Sequence, residues 1–433
     1  MEFYSTNHRS PAVSLREAVL SGLPPDGGLY MPETIPRLPD DFLKELSSYT
    51  LPEIAFNTIS RFTGDAINEG AFQEIITEAI SFDAPLVSLR DRIYSLELFH
   101  GPTLAFKDFG ARFMARLMSH FVRNEDQELT ILVATSGDTG SAVAQGFHKV
   151  PGITVCVLYP QGKVSQIQEK QFTTLGENII ALEVQGNFDD CQRLVKQAFL
   201  DEELRNQRWM TSANSINIAR LLPQMVYYFH GVGQLERRNS PVIISVPSGN
   251  YGNLTAGLLA KRMGLPVQRF IAAANRNDVV PEYLQTGEFH PGSSVETISN
   301  AMDVGDPSNF ARMKALYGDD LERMREDVAG YSYSDSRTRQ AIGAVYKSSD
   351  YVLDPHGAVG YLALRDYLET EEASCRGIFL ETAHPAKFAD VVEEEIGREI
   401  TLPERLRVTL DQEKQSVDLP ADYTAFREYL LGP

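Results

Sequence analysis

The stretch TILVATSGDTGSAVAQGFHKV, residues 130–150, decides the fold. It begins with a short continuous apolar run, as a buried parallel strand does, and its glycine turn leads into a helix. Similar apolar runs follow in ITVCVLYP, IIALEVQG, PVIISVPS and VQRFIAAAN, and they alternate with the helical patterns VSQIQEKQFTTLG, FDDCQRLVKQAFLDEELRNQ and NLTAGLLAKRMG. Repeated units of strand, crossover helix and strand predict an α/β fold with a mainly parallel sheet, in which ligands bind at the carboxyl ends of the strands.

The regions on either side of this pattern differ from it. Residues 1–90 predict a mostly helical N-terminal region, in which SLREAVLSG has Ser14 as an N-cap and Gly22 as a stop. Clustered ionisable groups do not occur there, so we expect a packing layer rather than chemistry. Beyond residue 300 the helices become charged, until YVLDPHGAVGYLALRDYL and GIFLETAHPAKFADVVEEEIG restore the strand-turn-helix pattern.

Composition limits the classes of function. With 433 residues, 43% hydrophobic and 23% charged, the chain predicts a soluble globular protein of roughly two or three domains. A net charge of −19 argues against nucleic-acid or anionic-membrane partners, which require a basic face. Three scattered cysteines without CxxC spacing favour a reducing cytoplasm. The start MEFYSTNHRS does not have the pattern of a secretion signal, so we expect no secretion. The sequence has no apolar run of about 18 residues, so we expect no membrane span.

Lys107 is the first candidate for chemistry. In ELFHGPTLAFKDFGARFMARLM, residues 97–118, it lies between Phe106 and Phe109, where a loop gives way to an amphipathic helix. Burial at such a place lowers the pKa of a lysine and makes its amine nucleophilic, which is the chemistry of a Schiff-base lysine. The alternative is an ordinary lysine that pairs with Asp108 on a helix surface.

A glycine turn that follows the strand PVIISVPS is a candidate anion site. Its residues, which lead straight into a helix, are Ser248, Gly249, Asn250, Tyr251, Gly252 and Asn253. Free N–H groups at a helix start, with glycines that allow close approach, suit a phosphate. The turn matches neither GxxxxGK[ST] nor GxGxxG, which argues against a nucleoside triphosphate or a dinucleotide. The alternative is a tight turn that needs glycine only for its backbone angles.

Two further polar clusters precede helices. The turn of residues 134–141 is either a second anion cradle or an N-cap in which Asp138 or Thr139 closes the helix. In the cluster of residues 210–220, Arg220 could hold a carboxylate or a phosphate, or be a solvated helix residue. HExxH, histidine pairs at ligand spacing and GxSxG are absent, so the sequence predicts no metal site and no serine hydrolase.

Six motifs in order carry a resemblance to a known family. HGPTLAFKDFG, ATSGDTGSA, TSANSINIAR, SVPSGNYGNLTAGL, SNAMDVGDPSNFAR and LETAHPAKF together resemble threonine synthases, pyridoxal-phosphate enzymes of fold type II. The resemblance extends from FYSTN and DGGLYMPE almost to the end of the chain. It implies two mainly parallel open sheets flanked by helices, with a helical N-terminal extension. The implied domains are an N-terminal region (1–90), a large cofactor-binding α/β domain (91–118 and 213–433) and a small α/β domain (119–212).

The resemblance also implies residue roles. Lys107 would bind pyridoxal 5'-phosphate as a Schiff base, and Thr382 would contact the pyridine nitrogen. Gly249, Asn250, Tyr251 and Gly252 would hold the cofactor's phosphate, with Ser248 and Asn253 beside them. Asp138 stands where several relatives place an asparagine against the ring hydroxyl. For the substrate phosphate, the candidates in falling order are Ser136, Thr139, Asn217, Arg220 and Lys163.

The implied reaction converts O-phospho-L-homoserine and water to L-threonine and phosphate, the last step of threonine biosynthesis. Lys107 would act as the general acid and base, and the loop of residues 300–305 would lie near the pocket. Two alternatives stay open: a serine or threonine dehydratase, and a non-catalytic relative that binds the cofactor without turnover. We expect a cytoplasmic protein without a separate regulatory module, as a monomer or weak oligomer.

Overall fold

The fold is described from a computed structural model, which describes residues 1–90, 92–235, 240–370 and 375–432. Residues 91 and 433, the outer limits of the predicted large domain, lie outside the described residues. The strands are β1 Glu2–Ser5, β2 Val13–Ser14, β3 Tyr30–Pro32, β4 Leu86–Arg90, β5 Ile93–Glu97, β6 Leu129–Ala134, β7 Ile153–Pro160, β8 Ile179–Gln185, β9 Trp209–Ser212, β10 Val242–Pro247, β11 Arg269–Ala274, β12 Val328–Ser332, β13 Arg376–Glu381 and β14 Val417–Pro420.

The α-helices between these strands follow the predicted alternation. They are α1 Leu15–Ser21, α2 Asp40–Lys44, α3 Leu51–Thr63, α4 Glu69–Ala79, α5 Lys107–Val122, α6 Asp138–Phe147, α7 Gln166–Thr173, α8 Phe188–Leu200, α9 Glu202–Gln207, α10 Ile218–Leu221, α11 Met225–Gly233, α12 Gly252–Arg262, α13 Val279–Thr286, α14 Phe310–Tyr317, α15 Leu321–Asp327, α16 Asp335–Ser349, α17 Pro355–Thr370, α18 Ala389–Ile396, α19 Glu404–Leu410 and α20 Tyr423–Leu431. Short 3-10 turns include Asn300–Met302 and Pro385–Phe388.

Two open sheets form the body of the molecule, as predicted. The larger sheet has the order β12-β11-β10-β13-β5-β4, and the smaller has β14-β8-β7-β6-β9. Pairing is parallel throughout the smaller sheet, whereas β4 joins the edge of the larger sheet antiparallel to β5. The strands at the sheet centres, such as β6 and β10, are buried along their whole length, which explains why they read as continuous apolar runs.

The C-terminal segment departs from the predicted domain division. Strand β14 pairs in parallel with β8, and helix α20 packs on α8. The last residues therefore belong to the smaller sheet and not to the large domain of 213–433. Their sequence gave no strand signal because β14 is a four-residue edge strand of which only Leu419 is buried.

Other local predictions are confirmed or corrected. Ser14 caps α1 by accepting from the Glu17 N–H, and Gly22 ends it with a φ of 73°. The N-terminal region also contains a small antiparallel sheet, β2-β1-β3, beside its helices. The expected strand at YVLD is wrong, because residues 351–354 have no regular structure and lead directly into α17.

Candidate active site

The functional side chains meet in a cleft of about 680 Å³ between the two sheets. Its wall includes residues that follow the carboxyl ends of β6, β9, β10 and β13, as expected for parallel α/β sheets. Of the predicted site residues, those on the wall are Lys107, Ser136, Thr139, Arg220, Gly249, Asn250, Tyr251, Gly252, Asn253 and Thr382. The loop of residues 300–305 lines it as well, as predicted.

Lys107 is presented by a loop that is fastened at two points. Asp108, fully buried, accepts hydrogen bonds from the Thr103 N–H and hydroxyl, both at 2.8 Å. The backbone of Phe106 then donates to the Thr382 carbonyl oxygen at 2.8 Å. Asp108 is therefore a loop-closing residue and not the surface partner of Lys107. The second contact places Lys107 and Thr382 on the same cleft.

The surroundings of Lys107 favour a reactive amine. Burial lowers its pKa to about 8; the charge of Asp138 acts against this shift, and the charges of Lys387 and Arg220 act with it. Near neutral pH a larger fraction of this amine is therefore unprotonated and nucleophilic than of an ordinary lysine. Phe106 lines the cleft beside it, with the lysine nitrogen 5.9 Å from the ring centre. Phe109 does not: it packs into the core, edge-on to Phe82 and Tyr227.

Asp138 lies at the start of α6, behind the cleft wall. Its Oδ1 atom is 2.5 Å from the Lys387 ammonium and accepts a hydrogen bond from Gln168 at 2.9 Å. Burial acts to raise the pKa of Asp138, but the positive charges of Lys387 and Lys107 outweigh burial and hold that pKa well below its usual range. Asp138 is therefore a carboxylate. Thr135, and neither Asp138 nor Thr139, fixes the turn by accepting from the Gly137 and Gly140 N–H groups.

The turn after β10 offers backbone groups to the cleft. The side chains of Asn250 and Asn253 are held inside the protein: Asn250 donates to Ser215 at 2.6 Å, and Asn253 donates to the Pro247 carbonyl at 2.7 Å. Ser248 donates to the Val246 carbonyl and does not lie on the wall. The first N–H groups of α12 precede the intrahelical bonds; that of Leu254 donates to the Asn253 side-chain oxygen at 2.9 Å, which leaves those of Gly252 and Asn253 for an anion in the cleft.

The same turn packs tightly against the loop of residues 300–305. A Cβ atom on Gly249 would stand 2.8 Å from the Ala301 carbonyl oxygen and from the Met302 Cα, so only glycine fits there. Tyr251 has a left-handed φ of 59°. The packing of the neighbouring loop thus holds the turn in this conformation. Strained backbone at binding sites persists when the surrounding structure holds it in this way.

Arg220 is a candidate for a second anion-binding group in the same cleft. It is buried and donates to the Ala213 carbonyl at 2.6 Å, while its Nε has no hydrogen-bond partner among the described residues. Burial lowers its pKa to about 10, so it stays charged at neutral pH. Ser136 and Thr139, both half-buried, share the cleft with it. A guanidinium with hydroxyls nearby suits a phosphate or a carboxylate.

Two predicted substrate residues do not lie on this wall. Asn217 is fully buried; it donates to the carbonyls of Val19 and Ser212 and caps α10 by accepting from the Ala219 N–H. The physical reason is that its amide joins the N-terminal helix to the sheet, which leaves no group for a substrate. Lys163 is an exposed residue in the connection between β7 and α7.

Sequence reasoning missed several groups on the cleft wall or behind it. Lys387 lies in the quoted motif LETAHPAKF, yet its pairing with Asp138 could not be read from spacing. His356, also on the wall, accepts from the Ala301 N–H through Nε2, and its Nδ1 contacts Asp354. The N-terminal region contributes Thr6, Asn7 and residues 27–29 to the wall, so it is more than a packing layer.

These residues fit a phosphate-bearing aldehyde cofactor. A lysine of lowered pKa, a helix-start turn that presents N–H groups and the hydroxyl of Thr382 face one cleft between two parallel sheets. Together they are the donor set for pyridoxal 5'-phosphate: an amine for the aldehyde, a backbone cradle for the phosphate and a neutral group for the ring. The fold and the site therefore define a pyridoxal-phosphate-dependent enzyme.

Comparison with known proteins narrows this class. Residues 82–376 match the family described as pyridoxal-phosphate dependent enzyme. Residues 2–80 match the threonine synthase N terminus, and residues 357–430 match the threonine synthase C-terminal family. Threonine synthase of Escherichia coli (strain K12) is 45% identical over 434 residues, with 100% of both chains covered.

Solved structures agree with the sequence comparison. A crystal structure of threonine synthase from Escherichia coli has a TM-score of 0.93 at 44% identity and covers 100% of this chain and 99% of that one. An X-ray structure of PLP-bound threonine synthase from Brucella melitensis has the same TM-score at 34% identity, with 100% and 99% covered. The chain belongs to the threonine synthase family, and its cofactor is pyridoxal phosphate.

Two further findings concern the described parts of the chain. There, no helix combines the length and the apolar character that crossing a membrane requires. Nor do three or more His, Cys, Asp or Glu side chains come together in those parts as a metal ion would need.

Proposed function

We propose that this chain is an enzyme that converts O-phospho-L-homoserine and water to L-threonine and phosphate, the last step of threonine biosynthesis. One observation carries the proposal: Lys107 shares a cleft with two separate candidates for anion binding, the turn of residues 249–252 and the buried Arg220. The cofactor brings one phosphate and the substrate brings another, so the reaction needs two such groups around one lysine. Full-length similarity to threonine synthases supports this assignment.

The chain's residues divide the work as follows. The N–H groups of the 249–252 turn bind the cofactor phosphate, and Thr382 contacts the ring as a neutral group. Arg220, Ser136 and Thr139 bind the substrate phosphate. When bound, the cofactor supplies the electron sink that allows a carbon beside the amino group to lose a proton.

Lys107 moves the protons. When it is not bound to the cofactor, the Lys107 amine would take the α-proton and then a β-proton of the substrate. Phosphate leaves the γ-carbon, which gains a proton, and the hydroxyl of a water adds at the β-carbon. A proton returns to the α-carbon, and the remaining proton from the water goes to the released phosphate. The balance is one water consumed and one phosphate released. A lysine with a pKa of about 8 can accept and return protons near neutral pH.

The setting of the enzyme is part of the proposal. The three cysteines, buried and without disulfides, suit a reducing cytoplasm. A charge of −19 suits a small-molecule enzyme without nucleic-acid partners. We propose a monomer or weak oligomer.

Two measurements on purified protein test the function. Borohydride treatment should fix the cofactor to the peptide that contains Lys107, as mass spectrometry would show. Incubation with O-phospho-L-homoserine should then release phosphate and threonine in equal amounts. Oxo-acid formation without phosphate release would instead identify a dehydratase, and bound cofactor without turnover would identify a non-catalytic relative.

A further inference from the structure

Lys387 is a fully buried lysine that connects the two sheets behind the cleft. It lies in the 3-10 turn Pro385–Phe388, which follows β13 of the larger sheet. Its ammonium is 2.5 Å from Asp138 on α6, which follows β6 of the smaller sheet. It also donates to the Thr103 carbonyl oxygen at 3.0 Å, in the loop that ends at Lys107. One cation therefore joins both sheets to the loop that presents the reactive amine.

Both acceptors of Lys387 are held a second time by helix α7. Gln168 donates to the Asp138 carboxylate at 2.9 Å, and Gln171 donates to the Thr103 carbonyl at 3.1 Å. With each acceptor fixed from two directions, the Lys387 nitrogen has a defined position. Burying a cation costs desolvation free energy. A lysine that is buried with two fixed hydrogen-bond acceptors is therefore a candidate for a role in specificity rather than in stability.

The charge balance around this group reaches Lys107. The charged and titratable groups that face Lys387 are Asp138 on α6, Lys107 and Asp108 on α5, and His384 on its own segment. Asp138 acts to raise the pKa of Lys107, whereas Lys387 acts to lower it. Their pairing therefore cancels most of their joint effect on the reactive amine, and the charge of Arg220, which also acts to lower the pKa of Lys107, is the third charge that acts on it. Without Lys387, the carboxylate would face Lys107 unbalanced.

We infer that Lys387 is a positioning residue for the chemistry at Lys107: its ammonium neutralises Asp138 and holds the Thr103 carbonyl, so that the Lys107 amine is placed and kept reactive. The inference rests on the proposed function only in that Lys107 carries the cofactor. Lys387 itself lies outside the cleft wall and acts through Asp138 and the loop.

The test measures the reactivity of Lys107 against pH in the full chain. Cofactor is removed, and the initial rate of Schiff-base formation with added pyridoxal phosphate is followed from about pH 6 to pH 10. Wild-type protein should show a rise with a midpoint near 8. In Lys387→Met, the unpaired Asp138 carboxylate should raise the midpoint by about one pH unit. The rate of Schiff-base formation at neutral pH should then be about tenfold lower than in wild type. Acylation of Lys107, read by mass spectrometry, should shift in parallel.

A charge-neutral pair and a distant lysine are the matched controls. The double variant Asp138→Asn, Lys387→Met removes both charges and should return the midpoint to within a few tenths of wild type. Lys261 also pairs with one carboxylate, Asp327 at 2.6 Å, and donates to one carbonyl, Gln268 at 2.7 Å, but far from the cleft wall. Lys261→Met should leave the midpoint unchanged.

Each outcome decides the inference. A Lys387→Met protein with the wild-type midpoint overturns it, as does a shift of equal size in Lys261→Met. If Lys387→Met does not fold, Lys387→Arg and Asp138→Asn replace it. Lys387→Arg should keep the midpoint of wild type. Asp138→Asn should lower the midpoint, because the charge of Lys387 then acts on Lys107 without the opposing carboxylate. An unchanged Asp138→Asn midpoint overturns the inference. Absence of threonine formation in wild type, with these shifts intact, would refute the proposed function alone.

Discussion

The turn after β6 and the turn after β10 are built alike, each with a buried parallel strand, a glycine-containing turn and a helix on the same cleft. Their polar residues are used differently. In the β10 turn the side chains of Ser248, Asn250 and Asn253 bond to the protein and leave the backbone N–H groups for a ligand. In the β6 turn Thr135 binds the backbone, and Ser136 and Thr139 face the cleft.

The difference shows that motif similarity does not fix function. Backbone donors at a helix start bind a phosphate whose position never changes, which suits a resident cofactor. The hydroxyls of Ser136 and Thr139, and the Asp138 carboxylate with Lys387 as its counter-ion, suit a substrate whose charge changes during the reaction. We therefore assign the cofactor phosphate to the β10 turn and the substrate phosphate to the β6 side, with Arg220 beside it.

Lys107 shares the cleft with both turns, and its removal should have the largest effect. Lys107→Ala should abolish turnover, with a loss of at least about 10⁴-fold, because both Schiff-base formation and proton transfer depend on its amine. Phosphate release and threonine formation measure the loss, and circular dichroism checks the fold. Lys149→Ala, which removes an exposed lysine paired with Glu177, is the control and should behave as wild type. Retained threonine formation in Lys107→Ala would show that another lysine carries the cofactor.

The β10 turn can be tested with two glycines that differ in their surroundings. Gly249→Ala puts a methyl group 2.8 Å from the backbone of residues 301 and 302, so it should weaken cofactor binding by about 10²-fold and lower stability by about 1–3 kcal/mol. In Gly252→Ala the nearest atom, on Asn309, is 3.4 Å away, so any loss should be in cofactor binding alone.

Cofactor titration and thermal unfolding of the cofactor-free protein separate the two effects. Equal destabilisation of both variants would mean that the turn needs glycine for its own packing. Unchanged cofactor affinity in both variants would mean that the cofactor phosphate binds elsewhere.

The sequence predicted the parts of the site that are local in the chain. A strand, its turn and the following helix lie within about 20 residues of the chain. Their pattern therefore predicts directly that residues 248–253 and Lys107 lie where a loop leads into a helix. Lys387 and Asp138 belong to different sheets, and only the packed fold brings them to 2.5 Å. The contribution of Thr6 and Asn7 to the cleft wall was missed for the same reason.

Strand β14 and Phe109 show two other limits. The segment VDLP has one buried residue, so the apolar signal that marked the central strands is missing. Phe106 and Phe109 both flank Lys107, but Phe109 is two residues after Lys107 in α5, a rotation of about 200°, which places its ring in the core against Phe82 and Tyr227. Proximity in sequence to a reactive residue therefore did not predict which ring lines the cleft.

Arg220 tests the assignment of the substrate phosphate. Arg220→Lys keeps a positive charge but loses the planar fork, so KM for O-phospho-L-homoserine should rise by about 10- to 100-fold, with a smaller change in kcat. Arg269 is a matched control, because it too has a buried Nε without a partner among the described residues but lies at the start of β11, away from the cleft wall. Arg269→Lys should leave KM unchanged. A fall in kcat alone for Arg220→Lys would contradict a substrate-binding role.

Asn217 should have the smallest effect on catalysis, although its motif suggested substrate binding. Its amide bonds to Val19 and Ser212 and its oxygen caps α10, so it resembles Asn253 in serving the backbone. Asn217→Ala should lower the free energy of unfolding by about 1–3 kcal/mol, because a cap and buried acceptors lose their partner. Measured well below the unfolding transition, kcat/KM should stay within about twofold of wild type. A tenfold rise in KM at unchanged stability would instead show that Asn217 binds the substrate.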